Sequence, residues 1–557
     1  MSLDIIPMSG HATHDVLNQV PPLVNYNVFE DDATLVESVQ REGAAWAVDH
    51  LSNFGSVVGS EEAIQWGFDA NENTPVLHTH NRTGQRVDEV TFHPSWHQLM
   101  RTSIEAGAHA LSWREQRTGG HVARAATFYL SSQMEGGHCC PVSMTHAVVP
   151  VLRSHTTSED GWVSLLTSFT YQPGLQPAQA KQGILCGMGM TEKQGGSDVR
   201  ANTTYAVSNG ESDQSYRLTG HKWFCSAPMC DVFLVLAQAP KGLTCFLLPR
   251  ILPDGTRNRF LIQRLKNKLG NRSNASSEVE FDQTWAIRIG EEGRGVRTII
   301  EMVNYTRLDC IIGAAAGMRQ AVVQATHHAA HRKTFGRMLI EQPLMQNVLA
   351  DLTIESEAAT LLAMRLARAC DRAESDAHNT QEMLIKRLGT AIGKYWVAKR
   401  CPAHAAEALE CLGGNGYVEE SMMPRLYREA PLNSIWEGAG NVNCLDVLRA
   451  MAKEPESVQA LFTEVTQASG ADVRLDAAIT KLKHELSDLS HIEIRARRLV
   501  EQMALVLQAA LLVQYGHPAV ADAFCATRLA GDWGRVFGTL PVGTDFAAII
   551  KRSQTQR

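Results

Sequence analysis

A glutamate that lies among an aromatic residue and several small residues is a candidate for acid–base chemistry. Glu437 follows Trp436 and precedes Gly438 within the run Asn433–Asn441. Small neighbours leave space for a ligand beside the carboxylate, and burial would raise its pKa towards the range that a general base needs. Most single carboxylates lie on the surface, so the run by itself also fits a solvated glutamate.

Two stretches in the middle of the chain have the composition of a ligand-binding wall. In Gly189–Asp198, the hydroxyls of Thr191 and Ser197 flank two glycines, which let the backbone approach a flat or anionic ligand closely. Further along, strand alternation would place Phe224 and Ser226 on one face, where one side chain stacks and the other donates a hydrogen bond. The alternatives are an ordinary polar turn and a routine half-buried strand.

Two other stretches have residue types that bind the anionic part of a ligand. Arg332 and Phe335 are three residues apart and share a helix face, which suits a phosphate and an adenine ring. The glycine cluster Cys411–Gly416 can form a backbone cradle for an anion. The alternatives are a solvated helix end closed by Gly336 and a tight corner between two helices.

Several common catalytic motifs are absent from the sequence. Without G-x-G-x-x-G, Walker A, H-E-x-x-H or G-x-S-x-G, the chain has no support for a Rossmann dehydrogenase, a P-loop ATPase, a zinc peptidase or an α/β-hydrolase. None of the twelve cysteines lies in a C-x-x-C pair, so we expect reduced thiols and no metal, with a metal corner at His138–Cys140 as the alternative. The net charge of −7 argues against attraction of the whole chain to nucleic acid.

Apolar periodicity divides the chain into segments of different character. Helical spacing over much of the first third gives way to short runs rich in Val, Phe, Leu and Thr that are separated by turn residues, and helical spacing then returns. Runs of one element type followed by runs of the other predict an α+β chain rather than a doubly wound sheet. The predicted units are an N-terminal arm and helical domain (1–185), a middle β domain (186–290), a helical bundle (291–450) and a helical C-terminal extension (451–557).

Targeting signals are not evident in the sequence. The first residues, Met1–Asp15, lack the basic and apolar regions of a secretory signal. No apolar run approaches the roughly 18 residues that cross a bilayer. We therefore expect a cytoplasmic protein.

Taken in order, these stretches resemble the acyl-CoA dehydrogenase family. Gly189–Ala201 fits the first signature of that family, and Glu410–Tyr417, continuing to Glu429, fits the second. The resemblance covers residues 36–450. It implies an N-terminal helical domain, a middle β-barrel domain and a C-terminal four-helix bundle, here with an extra helical C-terminal domain.

The resemblance also implies FAD and an oxidoreductase reaction on an acyl-CoA. Glu437 takes the place of the catalytic base, and Trp436 replaces the usual tyrosine with a bulkier side chain that would narrow the acyl pocket. The Arg-x-x-Phe pair and the glycine cluster are expected to reach the FAD of a neighbouring subunit, so an oligomer is implied. The expected cofactor-binding residues are Met188, Gly189, Met190, Thr191, Gly195, Gly196, Ser197, Phe224, Cys225, Ser226, Arg332, Phe335, Gly413, Gly414, Ile435, Trp436, Gly438, Ala439, Gly440 and Asn441.

A narrower resemblance is to bacterial flavoproteins of the same family that respond to DNA alkylation. It is carried by the runs MGMTEKQGGSDV, GHKWF and NSIWEGAGN, by the N-terminal arm and by the tail beyond 450. It implies a homotetramer, a role in the adaptive response to DNA alkylation and in DNA repair, and at most weak activity on isovaleryl-CoA-type substrates. It also implies non-specific binding of double-stranded DNA by the tail.

The candidate DNA contacts are Lys481, Lys483, Arg495 and Arg498, because helix arginines and lysines can neutralise phosphates without reading bases. The tail holds twelve basic and twelve acidic residues, so a solvated helix face is the alternative. Two other functions stay open: a metabolic short- or branched-chain acyl-CoA dehydrogenase, and a non-catalytic flavin-dependent scaffold.

Overall fold

The structure is a computed structural model that describes residues 13–157, 160–210, 212, 214–376 and 378–555. Residues 1–12, which form most of the segment predicted to lack a secretory signal, lie outside the described residues. Among the residues that are described, no helix is long and apolar enough to cross a membrane. Helices are followed by a strand-rich segment and then by helices again, which is the α+β order that the periodicity predicts.

The N-terminal segment is a set of packed helices interrupted by one hairpin. Its elements are α1 (Ala33–Val39), α2 (Val48–Val58), α3 (Glu61–Glu72), β1 (Val76–His80), β2 (Arg86–Thr91), α4 (Pro94–Glu105), α5 (Leu111–Arg114), α6 (Gly120–Met134), α7 (Cys139–His155) and α8 (Trp162–Leu166). Asp32 begins α1 by accepting a hydrogen bond from the backbone N–H of Leu35 at 3.1 Å. Helices α6 and α7 are buried along almost their whole length.

The hairpin of β1 and β2 is not predicted by the sequence. Its strands are short and mostly polar, so they lack the alternation that marks a half-buried strand. Tertiary contacts hold it instead: Arg86 Nη2 donates a hydrogen bond to the backbone oxygen of Ile262 in the β domain at 3.1 Å.

The middle segment forms a β barrel. Its strands are β3 (Cys186–Gly189), β4 (Tyr205–Ser208), β5 (Ser215–Ser226), β6 (Val232–Ala239), β7 (Gly242–Pro249), β8 (Phe260–Leu265) and β9 (Ser276–Ile289). Strands β6, β4, β5, β9 and β7 neighbour one another in that order, and β7 also pairs with β6, so the sheet closes on itself. The pairs β3–β6 and β4–β6 are parallel, and the strands between them in sequence provide the long crossover that parallel pairing requires.

Long helices dominate the third segment. Its elements are α9 (Gly295–His331), β10 (Lys333–Thr334), β11 (Arg337–Met338), α10 (Pro343–Ser375), α11 (Thr380–Glu410), α12 (Met422–Glu429) and α13 (Gly440–Lys453). Helices α9, α10 and α11 pack on one another, and α13 packs on α11. Small residues such as Ala314–Ala316 are fully buried on α9 and let its neighbours approach closely. This arrangement is the four-helix bundle that the resemblance implies.

The tail adds α14 (Glu456–Val465), α15 (Val473–Ser487), α16 (Ile492–Tyr515), α17 (Pro518–Phe524) and α18 (Phe546–Lys551). Helix α16 packs against α10, α11 and α13, and α18 packs against α10. Buried ion pairs tie the tail to the bundle. Arg365 Nη2 on α10 donates to Glu464 Oε2 at 2.8 Å, and Arg528 Nη2 donates to Glu355 Oε2 at 3.0 Å. The tail is therefore packed into the same body as the bundle.

Candidate active site

A cavity of about 620 Å³ lies where the N-terminal helices, the barrel and the bundle meet. Its wall comes from α6 and α7, from β3 and the loop that follows it, from the end of β5, from α9 and from the turn before α13. The runs around Thr191 and Glu437, which are far apart in sequence, thus line the same cavity. Twelve predicted site residues line it: Met188, Met190, Thr191, Gly196, Ser197, Phe224, Ser226, Ile435, Trp436, Glu437, Gly438 and Ala439.

The barrel side of the cavity has an apolar face with polar groups at its edge. Met188 and Met190 lie on and just after β3, and both line the cavity. Phe224 is 52% exposed, which is unusual for an aromatic residue in a barrel strand. Cys225 is fully buried on the opposite face of β5, so Phe224 and Ser226 point to the cavity together.

The loop after β3 is held in place by a buried ion pair. Glu192 Oε1 accepts a hydrogen bond from Lys222 Nζ at 2.7 Å, and Glu192 Oε2 accepts from the backbone N–H of Thr203 at 2.7 Å. A Cβ on Gly196 would come within 2.5 Å of Thr191 Oγ1, so the loop packs closely against the Thr191 side chain at this glycine. An apolar wall edged by hydroxyls and exposed backbone suits a flat heteroaromatic ring, which is the chemistry of the FAD isoalloxazine.

Glu437 is held in an uncommon backbone conformation on the other side of the cavity. Its φ of 57° lies in the left-handed region, which a non-glycine residue seldom adopts. Glu437 Oε2 accepts a hydrogen bond from Thr306 Oγ1 at 2.9 Å. Arg307 Nε donates to the backbone oxygen of Glu437 at 3.0 Å, and Lys394 Nζ donates to that of Gly438 at 3.1 Å. Two helices of the bundle therefore fix the turn and its carboxylate.

Burial raises the pKa of Glu437 above its usual value. The hydrogen bond from Thr306 and the positive charges of Arg307 and Lys394 act in the opposite direction but do not cancel the effect of burial. The charge of Arg307 is itself balanced by Asp446 on α13, whose Oδ2 lies 2.8 Å from Arg307 Nη1. The side chain of Glu437 is half-buried and lines the cavity, and its raised pKa suits a proton acceptor.

Nine of the predicted cofactor residues do not line the cavity. Phe335 is fully exposed, and a Cβ on either Gly413 or Gly414 would meet nothing within 4 Å. Arg332 Nη1 donates to the backbone oxygen of Asn18 in the N-terminal arm. The nine residues are Gly189, Gly195, Cys225, Arg332, Phe335, Gly413, Gly414, Gly440 and Asn441.

Sequence reasoning missed the residues that support Glu437. Thr306 and Arg307 lie on α9, and Lys394 lies on α11, far from Glu437 in sequence. No local motif marks them, since each is an ordinary polar residue on a long helix.

Cys139 and Cys140 also line the cavity. Burial raises the pKa of the Cys140 thiol to about 12, which leaves it protonated and unreactive.

His138 uses both of its ring nitrogens within the protein. Nδ1 lies 3.0 Å from Glu135 Oε2, and Nε2 lies 2.8 Å from Ser103 Oγ. Burial opposes the charged form of His138, but the contacts with Cys139 and Glu135 prevail and raise its pKa to about 10. In the described part of the chain, no group of three or more His, Cys, Asp or Glu side chains is arranged to hold a metal ion.

The candidate DNA contacts in the tail differ in how freely they face solvent. Arg495 donates to Glu485 Oε2 at 3.0 Å and to three backbone oxygens, so it joins α15 to α16. The side chain of Arg498 is 68% exposed and lies 3.8 Å from Glu485 Oε1. Lys481 and Lys483 are exposed on α15, and Lys483 Nζ lies 5.3 Å from the centre of the Phe462 ring.

Three family models match consecutive parts of the chain. The model of the adaptive response protein AidB N-terminal domain matches residues 18–173. The acyl-CoA dehydrogenase middle domain matches residues 187–284, and the acyl-CoA dehydrogenase C-terminal domain matches residues 293–452. The matched segments contain all of the chain that lines the cavity.

Similar proteins extend over nearly the whole chain. AidB of Escherichia coli (strain K12) is 46% identical over 519 residues, which cover 93% of this chain and 94% of that protein. The structure of Caenorhabditis elegans ACDH-11 in complex with C11-CoA has a TM-score of 0.86 at 28% identity and covers 93% of this chain and 94% of that chain. An acyl-CoA dehydrogenase from Bacillus anthracis complexed with FAD shares the fold, with a TM-score of 0.61 at 17% identity over 90% of this chain and 82% of that chain. The chain therefore belongs to the acyl-CoA dehydrogenase family of FAD-dependent oxidoreductases.

Proposed function

We propose that this protein oxidises an acyl-CoA thioester between its α- and β-carbons, with Glu437 as the base. The observation that carries the proposal is that the carboxylate of Glu437 faces the same cavity as the apolar wall formed by Met190 and Phe224. Burial raises the pKa of this carboxylate, which makes it a stronger proton acceptor than an exposed glutamate.

Each residue around the reacting carbons has a defined task in this proposal. Thr306 engages Glu437 Oε2, so Oε1 is the oxygen that takes the proton from the α-carbon. Arg307 and Lys394 bind backbone oxygens of the turn and keep the carboxylate in position, which lowers the entropic cost of reaching the reactive geometry. FAD, when bound, supplies the two-electron acceptor for the hydrogen that leaves the β-carbon.

We also propose that FAD lies between the barrel wall and the turn of Glu437, in contact with the eleven predicted cofactor residues that line the cavity. The exposed residues Phe335, Gly413 and Gly414, together with the half-buried Arg332, then meet the FAD of a neighbouring subunit in a homotetramer. Their exposure supports this arrangement, because a fully exposed Phe335 leaves apolar surface that an oligomer would cover.

Anaerobic addition of acyl-CoA to the FAD-loaded protein is expected to bleach the absorbance of the oxidised flavin. Isovaleryl-CoA should bleach it slowly, and a series up to a C11 acyl-CoA tests whether longer chains react faster. One equivalent of the 2,3-unsaturated thioester should form per flavin reduced. Retention of FAD without bleaching by any member of the series would favour the non-catalytic scaffold.

A second proposal concerns double-stranded DNA and the response to DNA alkylation. It is supported by the extensive similarity to AidB and by the match to a domain described as belonging to an adaptive response protein. Lys481, Lys483 and Arg498 are exposed on two neighbouring helices and can neutralise phosphates without reading bases. Arg495 is occupied by Glu485 and backbone oxygens, so we expect little from it. Contact with DNA also requires the cytoplasmic location that we expect for the protein.

Duplex DNA binding is expected to be independent of sequence and to weaken steeply with salt. Replacing Lys481, Lys483 and Arg498 with alanine should lower the affinity for all duplexes alike and reduce the salt slope by roughly 0.9 for each phosphate that the protein no longer neutralises. Affinity is measured by fluorescence anisotropy of labelled duplexes between about 50 and 200 mM salt, the range over which the effect of phosphate neutralisation is largest.

The matched control removes the same number of positive charges elsewhere. Arg82, Lys241 and Arg372 are exposed and lie outside the tail, and their replacement with alanine should leave the salt slope unchanged. Point variants are preferable to removal of the tail, because removal would uncover the buried ion-pair partners on α10. Equal decreases in affinity in both triple variants would show that the tail has no special role in binding DNA.

A further inference from the structure

One lysine that lines the cavity has no task in the mechanism proposed above. Lys268 lies in the loop between β8 and β9 and is half-buried. Its Nζ donates hydrogen bonds to the backbone oxygen of Asn274 at 2.5 Å and to Ser276 Oγ at 2.9 Å. Both acceptors are neutral, so these bonds hold the ammonium group in place without balancing its charge.

Ser276 connects this lysine to the wall that we propose for the flavin. It is the first residue of β9 and pairs with Ser226 at the end of β5. The two hydroxyl oxygens are 3.4 Å apart. Lys268, Ser276 and Ser226 all line the cavity. The ammonium group is therefore at most two hydrogen-bond lengths from Ser226, one of the residues that we propose to contact FAD.

No nearby carboxylate neutralises Lys268. Among the residues that the structure describes, no Asp or Glu oxygen lies within 4.0 Å of its Nζ. The more distant Glu135 is bound to the protonated His138, and the charge of Glu429 is reduced because burial and Glu135 raise its pKa to about 7. Burial lowers the pKa of Lys268 to about 8, so the side chain still carries most of its charge at neutral pH.

The proposed reaction creates negative charge on the side of the cavity where this lysine lies. The α-proton goes to Glu437, and the β-hydrogen leaves the substrate with both electrons of its C–H bond. Their transfer adds one negative charge to the acceptor, while Glu437 loses its own. A fixed positive charge nearby stabilises the reduced acceptor relative to the neutral oxidised form, because electrostatic interactions are strong in a partly buried site.

We infer that Lys268 raises the reduction potential of the bound flavin: its positive charge, held close to Ser226 by the hydrogen bond to Ser276, stabilises the reduced, anionic form. The inference rests on the position of FAD proposed above. Lys268 acts on the flavin through its charge and exchanges no proton with the substrate.

The midpoint potential of the FAD-loaded protein tests the inference without any acyl-CoA. It is measured anaerobically by equilibrating the flavin with a reference dye of known potential. Lys268→Met keeps the length of the side chain and removes its charge. A unit charge at roughly 12 Å, in an effective dielectric of about 20, changes the equilibrium between the two forms by about tenfold. We therefore expect the variant to have a lower potential by about tenfold in that equilibrium, or about 30 mV for a two-electron couple.

Further variants separate the charge of Lys268 from its packing. Lys268→Arg keeps the charge, so its potential should stay within about twofold of the wild type in the same equilibrium. Ser276→Ala breaks the link to Ser226 but keeps the charge, so it should lower the potential less than Lys268→Met does. Lys241→Met, at the exposed turn between β6 and β7, is the matched control and should leave the potential unchanged. If Lys268→Met does not retain FAD, Lys268→Gln takes its place.

The outcomes distinguish this inference from the proposed function. A potential in Lys268→Met within about twofold of the wild type, or about 9 mV, would overturn the inference even if acyl-CoA bleaches the flavin. Equal decreases in Lys268→Arg and Lys268→Met would also overturn it, since they would assign the effect to packing. A lower potential in Lys268→Met alone, in a protein that no acyl-CoA bleaches, would retain the role of Lys268 and remove the dehydrogenase function.

Discussion

Replacement of Glu437 with glutamine is expected to lower the rate of flavin bleaching by acyl-CoA by at least about a thousandfold, within the range usual for loss of a general base. Glutamine keeps the size of the side chain and can still accept the hydrogen bond from Thr306, but it cannot take a proton at the α-carbon. Bound FAD and the Kd for acyl-CoA should change little, because the residue acts mainly in the transition state. Stopped-flow absorbance under anaerobic conditions measures the rate.

The control for this variant is Glu456→Gln, which makes the same chemical change at an exposed position in the first turn of α14. It should bleach at the wild-type rate. The cavity holds another carboxylate, Glu429, whose pKa burial and the neighbouring charge of Glu135 raise to about 7. If Glu437→Gln retains activity within tenfold of the wild type, the base lies elsewhere, and Glu429 becomes the next candidate.

Arg528→Met is expected to destabilise the protein by about 3–5 kcal/mol, the usual cost of removing one partner from a buried ion pair. Arg528 is 9% exposed and bonds Asp351 and Glu355 on α10, so its loss leaves buried carboxylates with fewer partners. Glu355 retains Arg400, which donates to its Oε1 at 3.1 Å. Urea denaturation followed by far-UV circular dichroism should show a lower midpoint. The exposed Arg535→Met, in the same tail, is the control and should leave the midpoint unchanged.

The same ion pair predicts how the difference in stability between the wild type and Arg528→Met depends on pH. Burial alone would raise the pKa of Glu355, but Arg400 and Arg528 overcome it and lower the pKa to about 2. Because the folded-state pKa lies below the unfolded value of about 4.3, the stabilisation is complete above that value and is lost as the pH falls towards 2. The destabilisation caused by Arg528→Met should therefore shrink below about pH 4.3. A destabilisation that stays constant down to pH 3 (roughly midway through that window) would show that packing, not charge, carries the effect.

Local patterns in the sequence account for much of the fold. Apolar spacing determines where helices and strands lie, because each element must bury one face, and this predicts the order of helices, strands and helices. It does not predict the hairpin of β1 and β2, since that element depends on contacts with the barrel. Nor does it predict that β3 and β6 run parallel, because strand pairing is a long-range property.

The candidate site divides in the same way. Short runs around Thr191, Phe224 and Glu437 are recognisable from residue types alone, because a ligand wall and a proton acceptor each need a few chemical groups that are close together in the chain. All three runs reach one cavity in the structure. The supporting residues Thr306 and Lys394 have no such local signal, since the residues that they bond are 131 and 44 positions away in the chain.

By itself, the sequence determined the classes of element and the family resemblance, and it predicted Glu437 as the base. Only the tertiary structure decided what surrounds that acid and that Arg495 is occupied by Glu485. The physical reason is that residue type fixes which interactions a side chain can make, whereas burial, pKa and hydrogen-bond satisfaction depend on which distant segments pack around it.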